Sequence, residues 1–407
     1  MFLVSYLKKS IPVSRRIQID RTLSEFKRIL KRKKTIVSKY EILEISHKKM
    51  HVFFGYYDIS PFNQDDDFIY LKTRGVGEAN ICLNNVITLK ERIVTTTRLW
   101  NWQQGCRLRW LPNSNSKIIF NDLVNDRYVS RIVDVNSKEE QMVNFPLYDL
   151  ASDGKKGLSI NFSLLGQKRP AYGYTEIPYI IKNKSTDDGI FLVDLEKNES
   201  NLILTFQEIL IELGLNISEV DNCYLNHLSF SPDNSKFLFF LLSEKKPFDD
   251  AFLLVYDFTN NKLSVIENHR KVSHYTWLGN DKIICTSIDN NSGSNMDPLY
   301  IEYSLENNKK RVLLPNILNK DGHPTMLSKE LMLTDTYALS DAYQRLYLAN
   351  INEGTHEILA EIFHVNISKG DGIEKRTDLH PRVNQSKKIA CFDMNTTGHR
   401  SLGLVKL

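Results

Sequence analysis

The chain has 407 residues, 42% hydrophobic and 25% charged, which excludes a disordered or fibrous polymer and supplies enough apolar side chains for a sizeable core. No stretch approaches the roughly 18 apolar residues that a membrane-spanning helix needs, and the 5 scattered cysteines form no CxxC pair, so free, mostly buried thiols in a reducing compartment are expected. The net charge of +4 is uneven: residues 1–50 carry 14 Lys and Arg against 4 Asp and Glu, which leaves 39 against 45 for the remainder, so the basic character belongs to the tail and nucleic acid is not an expected partner.

Residues 1–47 read as a separate basic segment. Thr22-Leu-Ser-Glu25 is a capping box, and Leu23, Phe26, Ile29 and Leu30 share one face of a helix whose other faces carry Lys27, Arg28, Lys31, Arg32, Lys33 and Lys34. Two readings stay open for this short amphipathic helix. Residues 1–34 lie on an anionic membrane surface, which would place a cytoplasmic protein peripherally at the inner membrane face, or the helix packs on the body as a solvated element.

From His51 onward the chain is a series of short β-type runs such as Phe68–Leu71, Lys117–Phe120, Lys236–Phe240, Phe252–Tyr256 and Lys388–Cys391, with only residues about 202–214 looking helical. The turn Ser231-Pro-Asp-Asn-Ser-Lys236 acts as a ruler. A polar residue, a short strand, a turn of Asp, Asn or Ser with Lys and a second strand recur from His51, Gln103, Tyr148, His227, His274, His323 and His380. A sheet repeated at this period is what a β-propeller blade requires, because neighbouring blades bury each other's faces. Residues 48–407 are therefore expected to form one all-β, seven-bladed propeller; two stacked sandwiches would not explain a turn recurring at one period.

The first strand of each blade lines the channel, so residues at its start gather at one mouth. The starts are His51, Gln103-Gln104, Tyr148-Asp149, Asn226-His227, His274, Asp321-Gly-His323 and Asp378-Leu-His-Pro-Arg382, which puts five of the ten histidines at one repeat position. Converging imidazoles can hold a divalent metal or serve as general base and acid. Arg74, Arg169 and Arg382 add guanidinium groups suited to a carboxylate, so an acidic sugar fits such a mouth. Tyr57 and Asp58 follow the first histidine, and Tyr172 and Tyr174 follow Arg169; such aromatics either pack on sugar rings or belong to the core. Asn395–Arg400 reads as a final hairpin turn with His399 exposed. No Gly-rich phosphate loop, GxSxG elbow or HExxH pair is present.

Asp378-Leu-His-Pro-Arg382 with Ser386-Lys-Lys-Ile-Ala390, Asn226–Asp233, Ser273–Trp277, Asp321-Gly-His323 and Leu333–Tyr337 together resemble the oligogalacturonate-lyase-like seven-bladed propellers. The segments His51–Asp58, Gln103-Gln-Gly105, Phe120-Asn-Asp122 and Arg169–Tyr174 resemble an uncharacterised branch of that group associated with bacterial polysaccharide genes. The resemblance covers about residues 48–407. It implies β-elimination on a uronate, with a metal held by channel histidines, matched here by His274 and His380; with His323 at the same repeat position, these are the expected ligands of one divalent metal (Mn, Ca or Zn). Two departures stand out: the family's His-Pro-His pair reads His380-Pro-Arg382, and its base histidine has no counterpart in Phe240–Lys245.

The expected activity is lyase chemistry on an acidic bacterial polysaccharide or oligosaccharide, with His51, His227 or Tyr57 taking the proton and Arg382 neutralising the uronate carboxylate. Asp58, Arg74, Gln104, Arg169, Tyr172, Tyr174, Asn226 and Asp321 are the expected substrate contacts. A glycosyl-transfer enzyme of capsule or O-antigen assembly, or a non-catalytic binding propeller whose histidines are tied to backbone groups, are the other readings.

Overall fold

The computed structural model describes residues 34–243, 251–267, 272–287, 298–365 and 376–407, so the basic helix expected before Lys34 lies outside the described residues. Seven antiparallel sheets succeed one another along the chain, over residues 51–97, 109–143, 149–205, 223–267, 275–313, 325–363 and 382–406, and they are the seven blades expected from the repeat.

Inner strands are buried on both sides. Phe237–Leu241 of blade 4 is apolar and fully covered, as a strand sandwiched between neighbouring blades must be, whereas the outer strand Glu140–Val143 of blade 2 buries only Val143. The recurrent turn is locally determined. The Ser231 amide donates to the Lys236 carbonyl at 2.8 Å, the Ser231 hydroxyl donates to Asp233, and Asn234 takes the left-handed backbone that Asn tolerates (φ 61°).

Blade 7 receives only three strands from the carboxyl-terminal end of the chain. Its outer strand is β2 (Ile42–Ile45), which pairs with Ser401–Lys406 in the register Ile42↔Val405 to Ile45↔Leu402, and β1 (Ile36–Val37) adds a fifth strand to blade 6. The ring is closed by hydrogen bonds between the two ends of the chain. Residues 36–45 thus belong to the propeller sheets and not to a tail ending at 47. The apolar, largely β-branched residues Ile36, Val37, Ile42, Leu43 and Ile45 carry this pairing, within a segment whose charge dominates its composition.

Among the described residues the helices lie in the long third blade and in its link to the fourth. The connection between its second and third strands, residues 161–188, contains α1 (Phe162–Lys168), capped by Asn161, which buries Phe162, Leu164 and Leu165. The sequence reading missed this helix. α2 (Lys184–Asp187) follows, and α3 (Phe206–Glu212) carries a complete Thr205–Glu208 capping box inside the helical stretch expected over 202–214. Among the described residues no helix is long and apolar enough to cross a membrane. Cys82, Cys106, Cys223, Cys285 and Cys391 are all buried and free, as the cysteine pattern implied.

Candidate functional site

The same repeat position in successive blades lies four residues before the residue whose amide closes the first turn. Leu111, Ser231, Leu278, Leu327 and Asn384 close those turns, donating to the carbonyls of Lys117, Lys236, Lys282, Leu331 and Ile389. Counting back gives Arg107, His227, His274, His323 and His380; in blade 1 Tyr56 stands four residues before Ser60 of the Ser60-Pro61 turn, as Arg107 stands four before Leu111-Pro112 and His227 four before Ser231-Pro232. Arg107, His227 and His380 hold left-handed backbone (φ 54°, 55° and 46°), an arrangement that non-glycine residues adopt at a cost and that recurs at functional sites. A second close backbone approach sets the mouth: a Cβ on Gly55 (φ 141°) would come within 2.9 Å of the Gln104 carbonyl oxygen, and one on Gly105 (φ 59°) within 2.7 Å of the Phe54 carbonyl oxygen.

Tyr56 occupies the middle of the group. Its ring centroid lies 4.7 Å from His227, 4.7 Å from His380, 6.1 Å from His323 and 6.3 Å from both His274 and Tyr172. His323 in turn lies 4.0 Å from His274 and 4.4 Å from His380. One ring nitrogen of each of these last three has a partner. His274 Nδ1 meets Asp321 at 3.1 Å, His323 Nδ1 meets Asp335 at 2.8 Å, and His380 Nδ1 meets the Gly55 carbonyl at 2.8 Å. His323 Nε2, His380 Nε2 and His227 Nδ1 are buried with no hydrogen-bond partner, and such groups need an explanation.

The donor set of His323, His380 and Asp378 supplies one. Their ligand atoms lie within 4.8 Å of one another, with His380 Nε2 4.0 Å from Asp378 Oδ2. Two imidazoles with a carboxylate suit a borderline divalent ion such as manganese or zinc. Each imidazole is oriented through its other nitrogen, the usual support for a metal-binding histidine. His274 stands next to this set, while Asp378, which the sequence reading left out of it, is also held by Arg376 at 2.9 Å.

Protonation separates these histidines. Burial, reinforced by the neighbouring cationic groups His274, Arg169 and Arg107, pushes His227 well below the ordinary imidazole range, and burial with His323 and Arg382 does the same to His380. Burial lowers His274 too. Burial opposes protonation of His323 as well, yet Asp335 outweighs it and holds that imidazole above its usual value. His227 is therefore unprotonated at neutral pH, free to accept a proton although a weaker base than an exposed imidazole. Its Nε2 lies 3.2 Å from Asn226 Nδ2 and 3.4 Å from the Tyr56 hydroxyl.

Several expected residues lie elsewhere. His51 is nine residues before Ser60, not four, and sits with Trp102 and His399 at centroid distances of 5.0 and 5.1 Å. Tyr57 spends its hydroxyl on the backbone of Tyr275, donating to the carbonyl at 2.8 Å and accepting from the amide at 2.9 Å, so it is not available as a base. Arg382 is buried, donating to Asp393 at 2.9 Å and to the carbonyls of Gly55 and Tyr56 at 3.0 and 3.3 Å. It fixes the backbone that carries Tyr56 and has no reach to a substrate carboxylate. Tyr174 belongs to the core, stacked on Phe162 at 4.8 Å with its hydroxyl accepting from Asn121. Arg74 is exposed in the turn after Thr73.

The remaining residues converge. Gln104 donates to Tyr148 at 2.6 Å and to Asn226 at 3.1 Å, and the Tyr148 hydroxyl donates to Asn226 and accepts from the His227 amide. Asp58 is clamped by Arg107 at 2.7 and 3.2 Å, with the Arg107 guanidinium 4.4 Å above the Tyr148 ring. Arg169 lies 4.2 Å over Tyr172, whose ring stands 5.7 Å from His227, and Asp321 orients His274. Arg376, 5.2 Å from Tyr337, completes the rim. Tyr56 and Arg107 were not expected as site residues. Both stand four residues before an X-Pro turn, Ser60-Pro61 and Leu111-Pro112, as His227 does before Ser231-Pro232, and that offset is a signal in the sequence.

Solved structures share this fold. Oligogalacturonate lyase in complex with manganese superposes with a TM-score of 0.66 at 17% identity, covering 91% of this chain and 94% of that one. Oligogalacturonate lyase from Vibrio parahaemolyticus gives 0.64 at 13% identity, covering 91% and 97%, and a prolyl endopeptidase gives 0.51 at 11%, covering 88% of this chain but 50% of that one. No family model matches the chain, and no curated protein does. At such identities the likeness establishes the seven-bladed propeller itself.

Proposed function

We propose that the protein is a lyase that cleaves an acidic, uronate-containing oligosaccharide by β-elimination at the channel mouth. The observation that carries this reading is the placement of a neutral, half-buried His227 and the hydroxyl of Tyr56 beside Asp378 and the partnerless Nε2 atoms of His323 and His380.

The sugar packs against Tyr56 and Tyr172, and Arg169 and Arg376 on the rim draw its carboxylate inward. His227 takes the proton from the carbon next to the carboxylate. The electrons of that C–H bond form a C=C bond, the C–O bond one carbon further breaks, and its electron pair leaves with the oxygen, which is protonated from Tyr56 or water. A divalent ion such as manganese, bound by His323, His380 and Asp378 with His274 adjacent, would supply positive charge that neutralises the carboxylate and acidifies the C–H bond. Tyr148, Asn226 and Gln104 hold His227 in its left-handed backbone and fix its ring.

Oligogalacturonate lyase as a fold neighbour supports this reading, as does the pairing of His274 and His323 with carboxylates, where a purely structural role would tie each histidine to backbone. The basic composition of residues 1–34 supports a position at an anionic membrane face. Incubation with a panel of uronate polysaccharides, followed by the ultraviolet absorbance of the conjugated unsaturated product, tests the reading directly; no product from any of them with manganese present would overturn it.

A further inference from the structure

His51, Trp100, Trp102 and His399 meet outside the histidine group but at the same end of the propeller. His51 opens the first strand of blade 1 and pairs with Thr73 at the end of the second; Trp100 and Trp102 lie in the link to blade 2, and His399 lies in the turn between Ile389–Met394 and Ser401–Lys406. In an antiparallel blade the start of strand one, the turn from strand two to three and the link to the next blade share one end.

The four rings are held in a fixed arrangement. Trp100 donates Nε1 to the Gly77 carbonyl at 2.7 Å, which pins the 74–77 turn to the link and sets the indole plane. Trp102 stands nearly perpendicular to Trp100 (5.1 Å, 87°) and to His51 (5.0 Å, 76°), and His399 lies 5.1 Å from His51. Trp102 is buried and forms the floor, while Trp100, His51 and His399 are half-buried and face outward from it. Arg74 precedes Gly75, whose Cβ position lies 3.5 Å from the Trp102 ring, and Arg98 is two residues before Trp100; both are exposed and without a side-chain ion pair among the described residues. Arg400 joins this platform to the mouth: its Nη1 donates to the Trp102 carbonyl at 2.5 Å and its Nη2 to the Arg376 carbonyl at 2.6 Å, and the Arg376 side chain reaches Tyr172 at 3.4 Å.

We propose that this platform is a second sugar subsite, which takes a pyranose ring of a uronate chain on Trp100 and its carboxylate on Arg74 or Arg98, several residues along from the unit held at Tyr56 and His227. It rests on the acidic-glycan reading of the mouth. A fixed indole face with a neighbouring guanidinium matches the two sides of a uronate, an apolar ring face and an anion. The subsite favours long chains over short ones and has no part in the bond-breaking step.

The test is calorimetric titration of the full chain carrying His227→Ala, to suppress turnover, with oligogalacturonides from disaccharide to octasaccharide, alone and with Trp100→Ala or Arg98→Ala added. The parent is expected to bind the octasaccharide more tightly than the disaccharide. Trp100→Ala should weaken octasaccharide binding about tenfold and disaccharide binding less than twofold, with Arg98→Ala changing both in the same direction by less. Octasaccharide affinity unchanged by either substitution, or no gain of affinity with length, overturns the subsite. Arg74 and Arg98 are both exposed, so the double variant Arg74→Ala with Arg98→Ala decides the matter should Trp100→Ala not fold. Product release by the chain with His227 intact separates the two ideas: length- and Trp100-dependent binding without unsaturated product removes the lyase and leaves the subsite, whereas product formed with binding indifferent to Trp100 removes the subsite and leaves the lyase.

Discussion

Tyr56 lies almost parallel to His227, their rings 4.7 Å apart and tilted by 21°, with the tyrosine hydroxyl 3.4 Å from Nε2 of the imidazole. The pair comes from blades 1 and 4, joined across the channel. Stacking fixes the imidazole plane, and the hydroxyl offers a proton relay or donor at the nitrogen that handles the proton.

Replacing His227 by Ala is expected to lower kcat about 10²- to 10⁴-fold, the usual contribution of a general base, while the melting temperature stays near that of the parent because the ring lies at the mouth. Tyr56→Phe, which keeps the stack and removes the hydroxyl, should lose about tenfold. Steady-state kinetics with a melting curve on each variant checks both.

The pH profile follows from the same histidine. Burial first, then His274, Arg169 and Arg107, lowers its pKa well below 6.5, so it deprotonates earlier than a free imidazole as pH rises. The acid limb of kcat/KM should therefore lie well below pH 6.5, and Arg169→Ala, which removes one of the opposing charges, should move it upward.

Tyr57→Phe tests the assignment of the neighbouring tyrosine. Its hydroxyl is occupied by the Tyr275 backbone, so activity should stay within a few-fold of the parent, with a stability loss of about 1 kcal/mol for the missing bonds. Denaturant titration and kinetics together separate this from a catalytic role.

Arg382 and Asp393 form a buried pair at 2.9 Å. Arg382→Ala leaves the carboxylate uncompensated and should destabilise the fold by about 3–5 kcal/mol, whereas Arg382→Met combined with Asp393→Leu should recover much of that loss. Had Arg382 bound the substrate carboxylate, the single variant would raise KM with little change in stability.

Asp188 offers a stability test away from the mouth. Burial raises its carboxyl to about 6, against hydrogen bonds from Gly189 and Tyr179 that favour the anion. The folded chain then holds a proton that the unfolded chain releases near the ordinary aspartate value of about 4, so stability falls as pH rises from about 4 to about 6 and is flat above. Asp188→Asn should remove roughly 2–3 kcal/mol of that pH dependence, measured by urea unfolding at the two ends of the window.

Much of this architecture was legible because turn chemistry is local. Ser231–Lys236 and its counterparts carry their own hydrogen bonds, so their spacing gave the blade number and brought His227, His274, His323 and His380 together. What failed was non-local. The pairing of Ile42–Ile45 with Ser401–Lys406 joins the two ends of the chain, and no local pattern marks it. His51 was placed by residue type, whereas the offset from Ser60 points to Tyr56, an aromatic that reads as core. Arg382 reads as an anion binder until Asp393, eleven residues on in the next strand, is seen to hold it.

The most direct test of the account is the appearance of unsaturated uronate product when oligogalacturonides are incubated with the purified chain and manganese, run beside the His227→Ala variant. The account predicts absorbance that rises with the parent and stays flat with the variant. Flat traces for both, or equal rates for both, would contradict it.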